Sequence, residues 1–173
     1  MRKLLIVIDM QKDFVDGSLG TAEAVAIVPA VKAKVESYPT EDVIYTLDTH
    51  GEDYLETQEG RHLPVVHCVR GTPGWELTEA LKAPLASARC YEKPTFGSLA
   101  LAHDLAALSY EEDIALELVG LCTDICVVSN ALLLKAAMPE VPIAVDAACC
   151  AGVTPEKHAA ALETLRSCQI EVR

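Results

Sequence analysis

Residues Ile114–Ala137 read IALELVGLCTDICVVSNALLLKAA. The first seven, Ile114–Gly120, are apolar except for Glu117 and stop at a glycine, the pattern of a buried strand. Thr123 or Asp124 can cap a helix that runs on to about Ala137. PIAVDA, Pro142–Ala147, then reads as another short apolar strand. A strand, a helix and a strand in succession imply parallel pairing through a right-handed crossover.

The same alternation extends outward in both directions. KLLIVID (Lys3–Asp9) is a short β-branched run suited to a strand buried on both faces. Thr21–Tyr38 has helical apolar spacing, with Pro29 as a point where the helix is expected to kink or split. DVIYTLD (Asp42–Asp48) and RCYEK (Arg89–Lys93) supply a second and a third strand, and Ser98–Ser109 reads as a helix. Thr154-Pro155-Glu156 combines a cap, a proline at N1 and an acid in the first turn, so a last helix begins there. QIEV (Gln169–Val172) closes with a sixth strand. The expectation is a single α/β domain over residues 1–173, a three-layer αβα sandwich around a six-stranded parallel sheet. Thr49–Ser87 breaks the alternation, being long, polar and rich in Gly, Pro and His. Such a loop in a compact domain is usually functional or mobile.

Composition narrows the function. The chain has 173 residues, enough for one sizeable core. Its net charge of −12, without clustered Lys or Arg, argues against nucleic-acid or anionic-membrane partners. Asp9 ends the N-terminal apolar run too early for a signal peptide or a membrane span. The seven cysteines form no even framework, which points to a reducing, cytoplasmic setting.

Ligands of open parallel sheets bind beyond the carboxyl ends of the strands. The polar residues expected there are Asp9, Asp48 with His50, Lys93, Thr123, Asp124, Cys126 and Asp146. Cys126 falls in the first turn of a helix, where unpaired N–H groups favour a thiolate and can hold an oxyanion. Read alone, it is more often a small buried hydrophobe, as free Cys usually is. Cys122 stands four residues earlier, which is not redox CxxC spacing, and no further ligands follow for a zinc scaffold. Asp9 and Lys93 could serve a thiol as base and as cationic partner, or form a plain strand-end salt bridge. Asp48 and His50 share one face of an extended chain, and His67 follows an apolar pair. An Asp and two His suit zinc, iron or manganese. Glu59 is a candidate fourth ligand, with Glu56 or His62 competing. His103 and His158 read as helix-surface residues without a role.

Together these segments resemble the isochorismatase-like cysteine hydrolases and, within them, the nicotinamidases. IDMQKDFVDGSL is similar to the family's opening segment, DTH and HCVRGTPGWEL to its metal-binding half, EKPTFGS to its lysine segment and VGLCTDICV to its nucleophile segment. The resemblance covers nearly the whole chain. It implies sheet order 3-2-1-4-5-6, which would put strands one and four side by side at the switch point. It also implies amide hydrolysis through a thioester on Cys126, with Asp9 as base and Lys93 as third member. The backbone N–H groups of Cys122 and Cys126 would form an oxyanion hole behind a cis Leu121-Cys122 bond, leaving the Cys122 side chain incidental. One divalent metal, zinc before iron or manganese, would sit on Asp48, His50, His67 and Glu59. Phe14 matches an aromatic that packs on the substrate ring. Where relatives often carry an aromatic three residues before the metal histidine, this chain has Pro64. The pocket is therefore expected to draw on Trp75, Phe96 and Leu121. A small carboxamide substrate and a homo-oligomeric assembly are implied as well.

Nicotinamide hydrolysis is the leading expectation. Another amidase or ureide hydrolase of the family, working without metal, is the alternative. An isochorismatase proper is disfavoured, its substrate being an anionic enol ether. A non-catalytic α/β binding domain lacks support, because GxGxxG and Walker patterns are absent.

Overall fold

A computed structural model describes residues 1–173. Six parallel strands lie in the order β3-β2-β1-β4-β5-β6. They are β1 (Arg2–Ile8), β2 (Val43–Asp48), β3 (Arg89–Lys93), β4 (Ile114–Leu121), β5 (Ile143–Ala151) and β6 (Glu171–Val172). Between them run the helices α1 (Lys12–Val15), α2 (Ala22–Glu36), α3 (Gln58–His62), α4 (Glu79–Lys82), α5 (Leu99–Glu111), α6 (Val128–Ala137) and α7 (Pro155–Ser167). No helix is long and apolar enough to cross a membrane.

The unbroken apolar run of β1 serves two cores at once, because successive side chains leave a strand on opposite faces. Leu4, Ile6 and Ile8 pack with residues of α5, α6 and α7, while Leu5 and Val7 pack with α1 and α2. Two buried faces are what a doubly wound sheet demands, and they explain why no polar residue interrupts the strand. Thr21, Ser98 and Thr154 cap α2, α5 and α7 through their hydroxyls.

Three local expectations need correction. Pro29 does not split α2, which runs unbroken over 15 residues. The proline lies on the exposed face, so water can satisfy the carbonyl that loses its N–H partner. Neither Thr123 nor Asp124 caps a helix: Thr123–Val127 is a π turn that begins without a side-chain cap, and α6 follows directly. Their side chains instead hold the start of α7. Thr123 Oγ1 lies 2.8 Å from His158 Nδ1, and Asp124 Oδ1 accepts from the Val153 N–H at 2.9 Å. His158 is thus a half-buried packing residue rather than a surface one.

Asp146 does not end a strand either. The small residues Ala147–Ala151 carry β5 onward past a register break, in which Leu118 pairs with Val145 but Gly120 with Cys150. Asp146 sits at that irregularity. It takes the Ala148 N–H at 3.0 Å and pairs with Lys34 at 2.7 Å, as part of a structural ion cluster with Glu117.

Gly120 has φ +116°, and a Cβ there would run into the Ile8 carbonyl across the β1–β4 seam. Gly71 also has a positive φ, +80°, but open space around it. Gly120→Ala is therefore expected to cost about 3 kcal/mol of unfolding free energy and Gly71→Ala about 1 kcal/mol. Urea denaturation distinguishes them, and equal losses would mean that the seam does not require the glycine.

Candidate active site

β1 and β4 are neighbours over seven register pairs, from Arg2–Ile114 to Ile8–Gly120. The strand order reverses beside this pair, and the chain beyond each carboxyl end turns into one cleft. Asp9 follows β1 in a left-handed backbone conformation, φ +47°, which Asp tolerates better than most residues. Its carboxylate is buried. Thr46 on β2 fixes it by donating its hydroxyl to Oδ1 at 2.6 Å. β2 and β3 pair Asp48 with Lys93, which sets the next two groups level with it.

Lys93 is 1% exposed. Its Nζ lies 2.6 Å from Asp9 Oδ2, 3.2 Å from Asp48 Oδ1 and 3.4 Å from Cys126 Sγ. Burial alone would lower this lysine's pKa, but Asp9, Cys126 and Asp48 reverse that and hold it charged. Burial pushes the Asp9 carboxyl up, against the pull of Lys93. Asp9 Oδ2 pairs with the Lys93 ammonium, and the same carboxylate lies within hydrogen-bonding reach of the Cys126 thiol. Burial and the nearby Asp9 also push the Cys126 thiol up, so at rest it is a neutral thiol beside an ion pair. Asn130 holds the turn beneath it by donating to the Cys126 carbonyl at 2.8 Å. The Leu121-Cys122 bond is cis.

The second half of the site shares Asp48. Its Oδ2 lies 2.9 Å from His50 Nε2 and 3.6 Å from His67 Nε2. The Val65 carbonyl, 2.8 Å away, keeps the proton of His67 on Nδ1 and leaves Nε2 with a lone pair. Burial would raise Asp48, yet His50, His67 and Lys93 together hold it well below the usual carboxylate range. One ligand atom from each of Asp48, His50 and His67 fits within a 4.8 Å span. Glu59 Oε1 joins them at 3.7 Å from His50 Nε2 and 3.8 Å from His67 Nε2, whereas Glu56 is exposed and has no place in the cluster. This donor set fits a divalent cation in chemistry. Two imidazoles and the carboxylates of Asp48 and Glu59 gather there in a mostly buried site, the mixed nitrogen and oxygen set that such a cation takes.

A cavity of about 790 Å³ opens over both halves. Phe14 and Phe96 line it, as do Cys126, His62 and Glu59. Two other expected wall residues do not. Trp75 turns away, donating Nε1–H to Thr49 Oγ1 at 2.9 Å, the partner that a half-buried indole needs. Leu121 points into the α2-side core, since it continues the alternation of β4. Ile125 and Cys122 line the cavity instead. The sequence reading gave Gln11 and Thr46 no role. Gln11 is fully buried and ties β2 to the loop: its amide accepts from the Asp48 N–H and donates to the Asp48 and Trp75 carbonyls, each at 2.8 Å. A polar residue within an apolar strand, or directly after one, was the available signal for both.

With this geometry in hand, comparison with known proteins is direct. The family model described as the isochorismatase domain matches residues 3–173. The chain belongs to the isochorismatase family. It is a hydrolase of that family, which disposes of the non-catalytic reading. No curated protein matches it by sequence alone. Among solved structures, a nicotinamidase/pyrazinamidase from Bacillus subtilis is 30% identical with a TM-score of 0.78, covering 99% of each chain. A pyrazinamidase from Pyrococcus horikoshii, solved in complex with zinc, is 25% identical with a TM-score of 0.80, covering 100% of this chain and 99% of its own. N-carbamoylsarcosine amidase from Thermoplasma acidophilum is 24% identical with a TM-score of 0.77, covering 100% and 96%, and shares the fold.

Two measurements test the site's electrostatics. Lys93→Met should destabilise the protein by about 3–5 kcal/mol, since it strands two buried carboxylates, and adding Asp9→Asn should recover part of that loss. Additive losses in the double mutant would mean that the two groups do not interact. Zinc at 100 times its Kd should add about 2.7 kcal/mol to unfolding, and His67→Ala should remove most of that increment. Chemical denaturation with and without zinc reads both.

Proposed function

We propose that the chain is a cysteine-dependent amidohydrolase whose reaction is nicotinamide and water to nicotinate and ammonia. One observation carries the reading: a single buried ammonium, Lys93, contacts the Asp9 carboxylate, the Cys126 thiol and the Asp48 of the candidate metal set. In this reading Asp9 accepts the Cys126 proton as Sγ attacks the carboxamide carbon. Its raised pKa makes it a stronger base than an ordinary carboxylate. Lys93 stabilises the thiolate as it forms, and the N–H groups of Cys122 and Cys126 take the carbonyl oxygen as it gains charge. The C–N bond then breaks, Asp9 returns its proton to the leaving nitrogen, and water cleaves the resulting thioester.

A divalent ion, zinc by ligand chemistry, would supply a Lewis-acidic contact for a pyridine nitrogen and orient the ring. Asp48, His50 and His67 would hold it, with Glu59 beside them, while Phe14 and Phe96 border the ring. A homo-oligomeric assembly and a cytoplasmic setting belong to the same reading by analogy with the family.

Cavity size favours a second reading within the same chemistry. About 790 Å³ is the scale of a drug-sized ligand, more than an amide of nine non-hydrogen atoms needs. Another small amide or a ureide would use Asp9, Lys93 and Cys126 in the same way. A panel of carboxamides and ureides, read by ammonia release with and without chelator, decides between them. Nicotinamide turnover that chelation abolishes supports the first reading, and chelator-insensitive turnover of a different amide supports the second.

Cys126→Ala and Asp9→Asn are each expected to lower kcat by at least about 10⁴-fold with the fold intact. Ammonia release unchanged in Cys126→Ala would end the thioester mechanism. Because protonated Asp9 cannot accept the thiol proton, kcat/KM should fall as pH drops. Its acid limb should lie above 3.8, the ordinary value for Asp. A limb at or below that value would show that Asp9 is not the base.

A further inference from the structure

Asp13 lies in α1, outside the ligand set, yet its carboxylate reaches the segment that carries His67. Oδ2 accepts from the Cys68 N–H at 2.8 Å. The Cys68 carbonyl in turn accepts from the His50 N–H at 2.9 Å, and the His50 carbonyl accepts from the Arg70 N–H at 3.0 Å, so His50 and Val69 form an isolated bridge. Cys68 directly follows His67 and adopts φ +45°, a conformation that residues with side chains take only where the surroundings impose it. The backbone of Cys68 is therefore a shared plank. It is bonded covalently to His67, hydrogen-bonded to His50 through its carbonyl, and anchored to Asp13 through its N–H.

Two glycines hold the Asp13 carboxylate in place. A Cβ at Gly17 would come within 2.6 Å of Oδ1, and one at Gly74 would run into the carboxylate itself. The carboxylate is thus seated from two sides while it makes a charge-assisted bond to one particular amide. We infer that Asp13 is a positioning residue that sets the spacing of His50 and His67 and so tunes the affinity of the site for a divalent cation. The inference rests on the reading of Asp48, His50 and His67 as a metal-binding set.

The test is a binding measurement on the full chain, independent of turnover. Chelator-stripped protein is titrated with Co²⁺ and with Zn²⁺ against a competing metal-binding dye. Asp13→Ala is expected to weaken both affinities by about 10- to 100-fold, the loss typical when an outer partner of a metal-ligating histidine is removed. It should also change the visible absorption of bound Co²⁺. Asp13→Asn, which keeps an acceptor oxygen for the Cys68 N–H, should restore most of the affinity. Should Asp13→Ala fail to fold, Gly74→Ala displaces the carboxylate in a chain that still carries it and should weaken binding in the same direction. Wild-type affinity and an unchanged Co²⁺ spectrum in a folded Asp13→Ala or Gly74→Ala variant overturn the inference, whatever happens to the melting temperature. Wild-type protein that binds neither ion would overturn the metal reading and this inference with it, whereas an effect missing only in the variants leaves the metal reading standing.

Discussion

The site is organised around one buried cation. An ammonium taken out of water costs several kcal/mol unless it is paired and hydrogen-bonded, and Lys93 is among the least exposed side chains of the protein. Two carboxylates from two other strands meet that cost, Asp9 beyond β1 and Asp48 at the end of β2. Backbone pairing of β2 and β3 brings Asp48 opposite Lys93, and β1 lies on the other side of β2, so Asp9, the residue after β1, reaches the same point with Thr46 holding its carboxylate. The arrangement makes stability and chemistry inseparable, because each group that could take part in catalysis also neutralises another.

Asp48 gives the site its second property. One oxygen faces Lys93 and the other faces the two histidines, so a single carboxylate joins the thiol half to the cation-binding half. Charge in one half is felt in the other through a single carboxylate rather than through a chain of packed residues. Thr46 and Gln11 then limit how far the shared elements can move, one fixing the Asp9 carboxylate and the other clamping the backbone of Asp48.

Much of this was legible in the sequence, for a definable reason. Strand order, the strand ends and the groups that follow them are encoded in runs such as Lys3–Asp9 and Asp42–Asp48, where burial on both faces leaves an unmistakable apolar signature. What the sequence concealed was side-chain direction and bulges. Asp146 looked like a strand end because it interrupts an apolar run, but the small residues after it continue the strand past a break in register. Trp75 looked like a pocket wall by its type, yet the hydrogen-bonding need of its indole sends it to Thr49. Thr123 and Asp124 looked like caps, and tertiary contacts to α7 claimed both side chains.

The division between sheet and loop also separates what can vary from what cannot. Asp48 and Lys93 are placed by strand register, Asp9 by the end of β1 and Cys126 by the turn that β4 feeds. A shift of Asp9, Asp48 or Lys93 would leave a buried charge without its partner. The walls of the cavity come from elsewhere: Phe14 from α1, His62 from α3, and Phe96 from the loop after β3, where it is partly exposed. These segments are tied to the sheet by a few hydrogen bonds rather than by a ladder, so their side chains can change without disturbing the charges beneath. The make-up of the cavity wall is therefore a matter for the segments around the sheet, whereas the charged groups beneath stay where the strand ends put them.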